Sequence, residues 1–243
     1  MRTLIIGDIH GCNKTFNALI DKIALSTLDH LFLLGDYIDR GPDSKGVLDT
    51  IFNLKEAGFQ VSCLRGNHEE MMLNAFLPPD IEEEKDDDDG NNEDVDYLKR
   101  WLKNGGKETL NSFGKSNVQE IPPQYLYFLA QLPFYIETED LILVHAGLDF
   151  HIKNPFDNLE EMIWIRDWYK SINDKWLGER TIVHGHTPIP CGRIEFLFEK
   201  RNIIRAINLD GGAIFSLKGR PDCALCCMDW TNKKLYFQDT VDN

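Results

Sequence analysis

No apolar run in this 243-residue sequence approaches the length of a membrane span, so no membrane partner is expected. Basic residues are scarce: 26 face 40 acidic ones, for a net charge of −14. No basic stripe is present, which argues against duplex nucleic acid as a partner. The six cysteines (Cys12, Cys63, Cys191, Cys223, Cys226, Cys227) are scattered, and a chain of this size needs no disulfide staples. Cys223 and Cys226 form one C-x-x-C, but no second pair of Cys or His lies nearby to complete a zinc site. Buried strand thiols are the expectation there. Neither a C-x5-R loop nor a G-x4-GK[ST] loop occurs, which excludes two common phosphate cradles. The first seven residues run too soon into motif residues to act as a signal peptide, so the expected location is cytoplasmic.

The charge is unevenly spread. Residues 80–96, DIEEEKDDDDGNNEDVD, hold eleven acids and one lysine, or −10 of the −14, leaving −4 for the rest. Such a run is too polar to pack and reads as a solvated surface loop. It lacks the spaced ligands and turn glycine of an EF-hand loop. The length suits one domain spanning residues 1–243, with the acidic run as an insertion.

Apolar periodicity gives the order of elements. Leu4–Ile6, Leu31–Leu34 and Phe59–Leu64 read as strands. Between them, Asn13–Leu25 has helical spacing, and Asp43 or Ser44 caps a second helix that ends at Gly58. This β-α-β-α-β order is that of parallel strands with crossover helices. Glu69–Phe76, Tyr97–Lys103 and Gln124–Leu132 read as helices. Phe134–Glu137, Leu141–Val144, Thr181–Val183, Ile203–Leu209, Ala213–Leu217, Cys223–Met228 and Lys234–Phe237 read as strands. Their connections look too short for crossover helices, which predicts antiparallel pairing. The fold class is α/β: two sheets packed face to face with helices outside.

Five short segments join glycine to a residue that can bind metal: Gly7-Asp8-Ile9-His10-Gly11, Gly35-Asp36-Tyr37-Ile38-Asp39-Arg40-Gly41, Arg65-Gly66-Asn67-His68-Glu69, Val144-His145-Ala146-Gly147 and His184-Gly185-His186-Thr187. The first three recur at intervals of about 30 residues, each after an apolar run. In an open α/β sheet, ligands gather beyond the carboxyl ends of the strands. Asp8, Asp36 and Asn67 would sit there, joined by His10, His145 and His186. A donor set of oxygen and imidazole without thiolate suits Mn, Fe, Zn or Mg. One carboxylate can bridge two such ions.

At these positions the chain resembles the calcineurin-like metallophosphoesterases, and within them the phosphoprotein phosphatase family, above all its bacterial and phage members. The family pattern GD-x-HG, GD-x-x-DRG, GNHE, H-[AG]-G and GH is matched between residues 7 and 187. Trp101 with Asn104-Gly105-Gly106, Ile165-Arg166-Asp167 and Asn208-Leu209-Asp210-Gly211-Gly212 extend the likeness to bacterial members. The resemblance implies the metallophosphoesterase fold, an α/β/β/α sandwich of two mixed sheets. It implies two divalent ions, manganese first among them. Asp8 and His10 would bind the first ion, Asp36 would bridge, and Asn67, His145 and His186 would bind the second. His68 would protonate the leaving oxygen, with Asp39 orienting its ring. Arg40, Arg65 and Arg166 would hold phosphate oxygens, although Arg40 and Arg65 also suit structural salt bridges. The implied chemistry is in-line attack by a hydroxide held between the ions, without a phosphoenzyme.

His184 is read as lining the pocket, and His30 and His151 as surface residues. Cys12 beside the site would be oxidation-sensitive if its pKa were low. The leading expectation for function is a serine/threonine protein phosphatase acting on phosphoprotein or phosphopeptide. The alternatives are a symmetric diadenosine tetraphosphate hydrolase or RNA-cap pyrophosphohydrolase, and a non-enzymatic metal scaffold. Those hydrolases tend to lack the second aspartate of GD-x-x-DRG, whereas Asp39 is present; the scaffold reading would need lost ligands, and none is lost. The acidic run would either repel acidic substrates at the active-site face or be an inert insertion.

Overall fold

The computed structural model describes residues 1–78 and 96–242. The acidic run therefore lies outside the described residues, apart from Asp96. Nine strands are described: β1 (Thr3–Ile6), β2 (His30–Leu33), β3 (Gln60–Cys63), β4 (Tyr135–Glu137), β5 (Leu141–Val144), β6 (Thr181–His184), β7 (Ala206–Asn208), β8 (Leu225–Asp229) and β9 (Lys234–Gln238). The α-helices among the described residues are α1 (Asn13–Lys22), α2 (Ser44–Glu56), α3 (Asn67–Phe76), α4 (Tyr97–Trp101), α5 (Lys107–Ser112), α6 (Pro123–Ala130), α7 (Glu161–Trp164), α8 (Asp174–Leu177), α9 (Cys191–Glu199) and α10 (Ala213–Ser216). Among them no helix is long and apolar enough to cross a membrane.

The strands form a five-stranded sheet, β3-β2-β1-β8-β9, and a four-stranded sheet, β4-β5-β6-β7. Successive strand residues point to opposite faces, and both faces of each sheet are used. Ile5, Phe32 and Leu34 from the first sheet meet Leu141, Leu143, Val183 and Ile207 from the second in a shared core. Leu4, Ile6, Leu31 and Leu33 point the other way, onto Phe16 and Leu19 of α1 and Val47, Leu48 and Ile51 of α2. On the outside of the second sheet, Ile142, Val144 and Ile182 pack on Met162, Trp168 and Leu177. The layers are helix, sheet, sheet, helix, as expected for the metallophosphoesterase fold.

Several local readings are corrected. β5, β6 and β7 pair in parallel, not antiparallel. The connection from β6 to β7 carries α9, a crossover helix that the sequence reading missed. Its buried residues Ile194, Leu197 and Phe198 have helical spacing. Antiparallel pairing does hold for β4 with β5 and β8 with β9. Ala213–Leu217 is no strand: Gly212 at φ 65° turns the chain into the single helical turn of α10. A short apolar run does not distinguish strand from helix. Asp43 is the cap of α2, its carboxylate accepting from Gly46 N at 2.8 Å. His30 is half-buried rather than a surface residue, stacked on Phe32 and bonded to Ser62 Oγ.

The strand order decides where the motifs meet. β1, β2 and β3 are neighbours in parallel, as are β5 and β6. Their carboxyl ends, and the five glycine-rich turns that follow, therefore reach one edge of the sandwich.

Candidate metal centre

Three of the five turns at this edge hold functional residues under backbone constraint. His10, Asp36, Asp39, Arg40 and His186 all have φ between 46° and 70°, a region non-glycine residues seldom occupy. Glu69 holds the Asp36 turn from below: its buried carboxylate accepts from Asp36 N, Tyr37 N and Gly66 N at 2.8 to 2.9 Å. The Asp36 carboxylate in turn accepts from His68 N at 3.1 Å.

Among the described residues, two groups of possible ligands share Asp36: His10, Asp36 and His68 on one side, and Asp36, His145 and His186 on the other. All these residues are buried. The protonation of two rings follows from their partners. His10 Nδ1 faces Ile38 O at 3.0 Å, and His145 Nδ1 faces Leu34 O at 2.9 Å. A carbonyl oxygen only accepts, so in both neutral rings Nδ1 carries the proton and Nε2 is bare. Those bare nitrogens lie 3.4 Å from the two oxygens of Asp36, one on each side. His145 Nε2 also faces Asn67 Oδ1 at 3.1 Å, and His186 Nδ1 reaches the same oxygen at 3.0 Å. His145 Nε2 thus meets only oxygen lone pairs, and such groups repel in a buried site unless a cation lies between them. The donor set therefore fits divalent metal, with Asp36 common to both groups of possible ligands.

The remaining expected residues are placed as follows. Asp8 lies in neither group; its carboxylate accepts from His186 N at 3.1 and 3.2 Å. Burial and the neighbouring charges of Asp210 and Asp36 push its pKa well up. Arg40 Nη1 donates to His10 Nε2 at 2.8 Å, taking the lone pair that an ion on that side would need. The Arg40 bond and an ion at His10 are thus mutually exclusive. Arg166 is exposed and bonded only weakly to Thr187 Oγ1, at 3.2 Å. Arg65 points elsewhere: it pairs with Glu70 at 2.9 Å, donates to Ala130 O and lies over the Phe134 ring. His68 Nδ1 bonds to Asp39 Oδ2 at 2.7 Å, and its Nε2 is buried without a partner, 4.0 Å from Asp36.

The titration behaviour separates these groups. Burial lowers His10 and His145, and takes His186 down to about 3, so each ring is a neutral donor near pH 7. Burial works against charge on His68 as well, but Asp36 and the bond to Asp39 outweigh it and raise its pKa. Burial also opposes the Asp36 charge, and the imidazoles of His145, His68 and His10 prevail, holding that carboxyl below its usual range.

His184 is already satisfied, with Nδ1 on Gly185 O at 3.0 Å and Nε2 accepting from Tyr169 Oη at 2.8 Å. It is a packed histidine, not a ligand. His151 is exposed. Cys12 is fully buried and pushed up to about 12, first by burial and then by Asp242, so it is no reactive thiolate. Cys226 and Cys227 are buried in β8, while Cys223 lies outside the strand and half-buried.

Sequence reading gave no role to three residues at the site. Asp210 is buried beside Asp8, and burial pushes it up to about 7. Trp101 Nε1 and Thr109 Oγ1 both donate to the Asp39 carboxylate. Trp101 and Asp210 stood inside quoted motifs, but the sequence offered nothing to say what they touch.

The chain belongs to the calcineurin-like phosphoesterase family, whose model matches residues 1–215. It is 26% identical over 246 aligned residues to an asymmetrical bis(5'-nucleosyl)-tetraphosphatase of Oceanobacillus iheyensis, covering 90% of this chain and 86% of that one. Among solved structures it is similar to a protein serine/threonine phosphatase from Saccharomyces cerevisiae, with a TM-score of 0.66 at 14% identity, covering 100% of this chain and 81% of that one. It is also similar to a candidate diadenosine tetraphosphatase, with a TM-score of 0.62 at 20% identity, covering 100% and 95%. At such identities the structural likeness establishes the fold alone.

Proposed function

We propose that this metallophosphoesterase hydrolyses phosphate monoesters whose leaving group is an alkoxide, with phosphoserine and phosphothreonine in protein as the first candidates. The observation that carries this reading is the buried pair of His68 and Asp39, with His68 Nε2 free of any partner. An alkoxide leaves poorly unless it is protonated as the bond breaks. A nucleoside phosphate leaves as a stabilised anion and needs that proton far less. A histidine with raised proton affinity and a fixed ring has its use in the first reaction.

Two divalent ions, manganese first among the candidates, would supply an acidified water and neutralise phosphate oxygens. Asp36 would bridge them, with His10 and Asp8 on one side and Asn67, His145 and His186 on the other. Arg166 stands beside the centre with its fork largely free, and Arg40 would turn from His10 to a phosphate oxygen when the ion side fills. Arg65 would have to give up Glu70 and Ala130 to do the same, so the other two arginines are the proposed phosphate contacts.

A second reading, hydrolysis of bis(5'-nucleosyl)-tetraphosphates, is favoured by the activity named for the relative that aligns along most of the chain. A side-by-side assay with Mn²⁺ separates the two. It would use a phosphothreonine peptide, a phosphotyrosine peptide and diadenosine tetraphosphate, with Asp8→Asn as control. Preference for the phosphothreonine peptide, lost in the control, is the expected result. Preference for the dinucleotide would overturn the reading.

A further inference from the structure

Asp39 holds more bonds than a partner of one histidine requires. Its Oδ2 accepts from His68 Nδ1 at 2.7 Å. Thr109 Oγ1 donates to its Oδ1 at 2.7 Å, and Trp101 Nε1 lies 3.0 Å from both oxygens. The backbone is held too, for Asp39 N donates to Ser44 Oγ at 3.0 Å and Thr109 Oγ1 at 2.9 Å. A hydroxyl has one proton, and that of Thr109 is committed to the carboxylate. Ser44 must therefore donate across the 2.9 Å contact between the two hydroxyls. Every proton in this buried set then has one place, and the carboxylate cannot rotate without breaking three bonds.

Two of these donors come from a segment outside the glycine-rich turns. Trp101 ends α4 and Thr109 lies in α5, with a kink at Gly105 in the Leu102–Gly106 segment between them. A glycine in this conformation lets the chain change direction between the two helices. Gly105, at φ 112°, donates no side chain but gives its carbonyl to Arg40 N at 3.2 Å. Gly106 lies flat against the indole; a Cβ there would come within 2.5 Å of the Trp101 ring. The segment thus grips Asp39 and its neighbour Arg40 together.

We propose that Trp101 and Thr109 are positioning residues that fix the Asp39 carboxylate, and through it the His68 ring, for proton delivery to the leaving group. This rests on the reading of His68 as proton donor, and it assigns the α4–α5 segment the task of aiming it. Both side chains are fully buried, and they would act through Asp39.

The test compares Thr109→Val, Thr109→Ser and Trp101→Phe with the wild-type protein, all loaded with Mn²⁺. Rates are measured on 4-nitrophenyl phosphate, whose leaving group needs little protonation, and on a phosphothreonine peptide, whose leaving group needs it fully. Removal of a general acid costs about 10²–10⁴-fold. Partial misaiming by Thr109→Val or Trp101→Phe should cost about tenfold more on the peptide than on the nitrophenyl ester. Thr109→Ser, which keeps the hydroxyl, should restore the wild-type ratio. Metal content should be unchanged throughout. Equal losses on both substrates would overturn the proposal, because they would mark a merely structural role.

A second readout does not depend on substrate. In proton NMR the His68 Nδ1 proton, identified by its loss in His68→Asn, should shift and exchange faster in Thr109→Val and recover in Thr109→Ser. An unchanged resonance in Thr109→Val would overturn the clamp whichever substrate the enzyme prefers. A wild-type protein inert on both monoesters would instead contradict the proposed function, leaving this resonance to decide the clamp.

Discussion

A backbone carbonyl chooses the tautomer at His10 and at His145, and that choice leaves a bare nitrogen on either side of Asp36. At His68 the choice is made by a carboxylate, with the opposite consequence: the ring gains affinity for a proton. The residue types Asp, His and Asn at these positions were legible in the sequence. Their division into ligands and a proton donor came only with the family resemblance, and the tautomers of His10 and His145 were not legible, because they depend on which oxygen lies behind each imidazole. A pH effect follows. His68 must be protonated to act, so the rate on the phosphothreonine peptide should fall as pH rises through its pKa. That pKa is raised above the ordinary 6.5 by Asp36 and by the Asp39 bond, which outweigh burial. Asp39→Asn removes one of those supports, so the fall should begin at lower pH. A pH–rate profile checks this, and an unmoved alkaline limb in Asp39→Asn would count against the role of the pair.

At the scale of elements, the glycine motifs were readable because each one ends a strand, and the edge where they meet follows from β1, β2 and β3 lying side by side. α9 was not readable, although Ile194, Leu197 and Phe198 have helical spacing. Nine residues just after Pro188 and Pro190 gave too short a window for the period to stand out. The parallel order of β5, β6 and β7 was lost with it. The α4–α5 segment shows the limit from the other side: Trp101 and Gly105-Gly106 were recognised, but the bond from Trp101 to Asp39 and that from Arg40 to Gly105 are long-range and invisible to local pattern. Gly106→Ala should force the buried indole aside, at a cost of about 1–3 kcal/mol. Urea denaturation would measure that loss. The same variant should reduce activity on the phosphothreonine peptide more than on 4-nitrophenyl phosphate.

Over the whole molecule, the α/β class and the helix–sheet–sheet–helix layering were legible, since continuous apolar runs such as Leu4–Ile5–Ile6 feed both faces of a sheet. What composition alone could not show is how much titratable chemistry the core contains. His184 is buried against Trp168 and Tyr169, and burial lowers its pKa to about 4. An unfolded histidine titrates near 6.5. Its depressed value means that stability is fully present above about pH 6.5 and is lost as pH falls toward 4. The part due to this residue is on the order of 3 kcal/mol. Urea unfolding of chelator-treated protein at pH 7.5 and pH 4.5 should show a smaller acid loss in His184→Gln than in the wild-type chain. Identical losses would mean that His184 is not the group responsible.

In the proposed centre one carboxylate, Asp36, joins two ion sites built from five turns. The most direct measurement is the stoichiometry of Mn²⁺ binding by calorimetry, with the spin coupling of the bound ions followed by electron paramagnetic resonance. The expected result is two ions per chain in a coupled pair, loss of both in Asp36→Asn, and loss of one with retention of an uncoupled ion in Asp8→Asn. A single ion in the wild-type protein, or a coupled pair that survives Asp36→Asn, would contradict it.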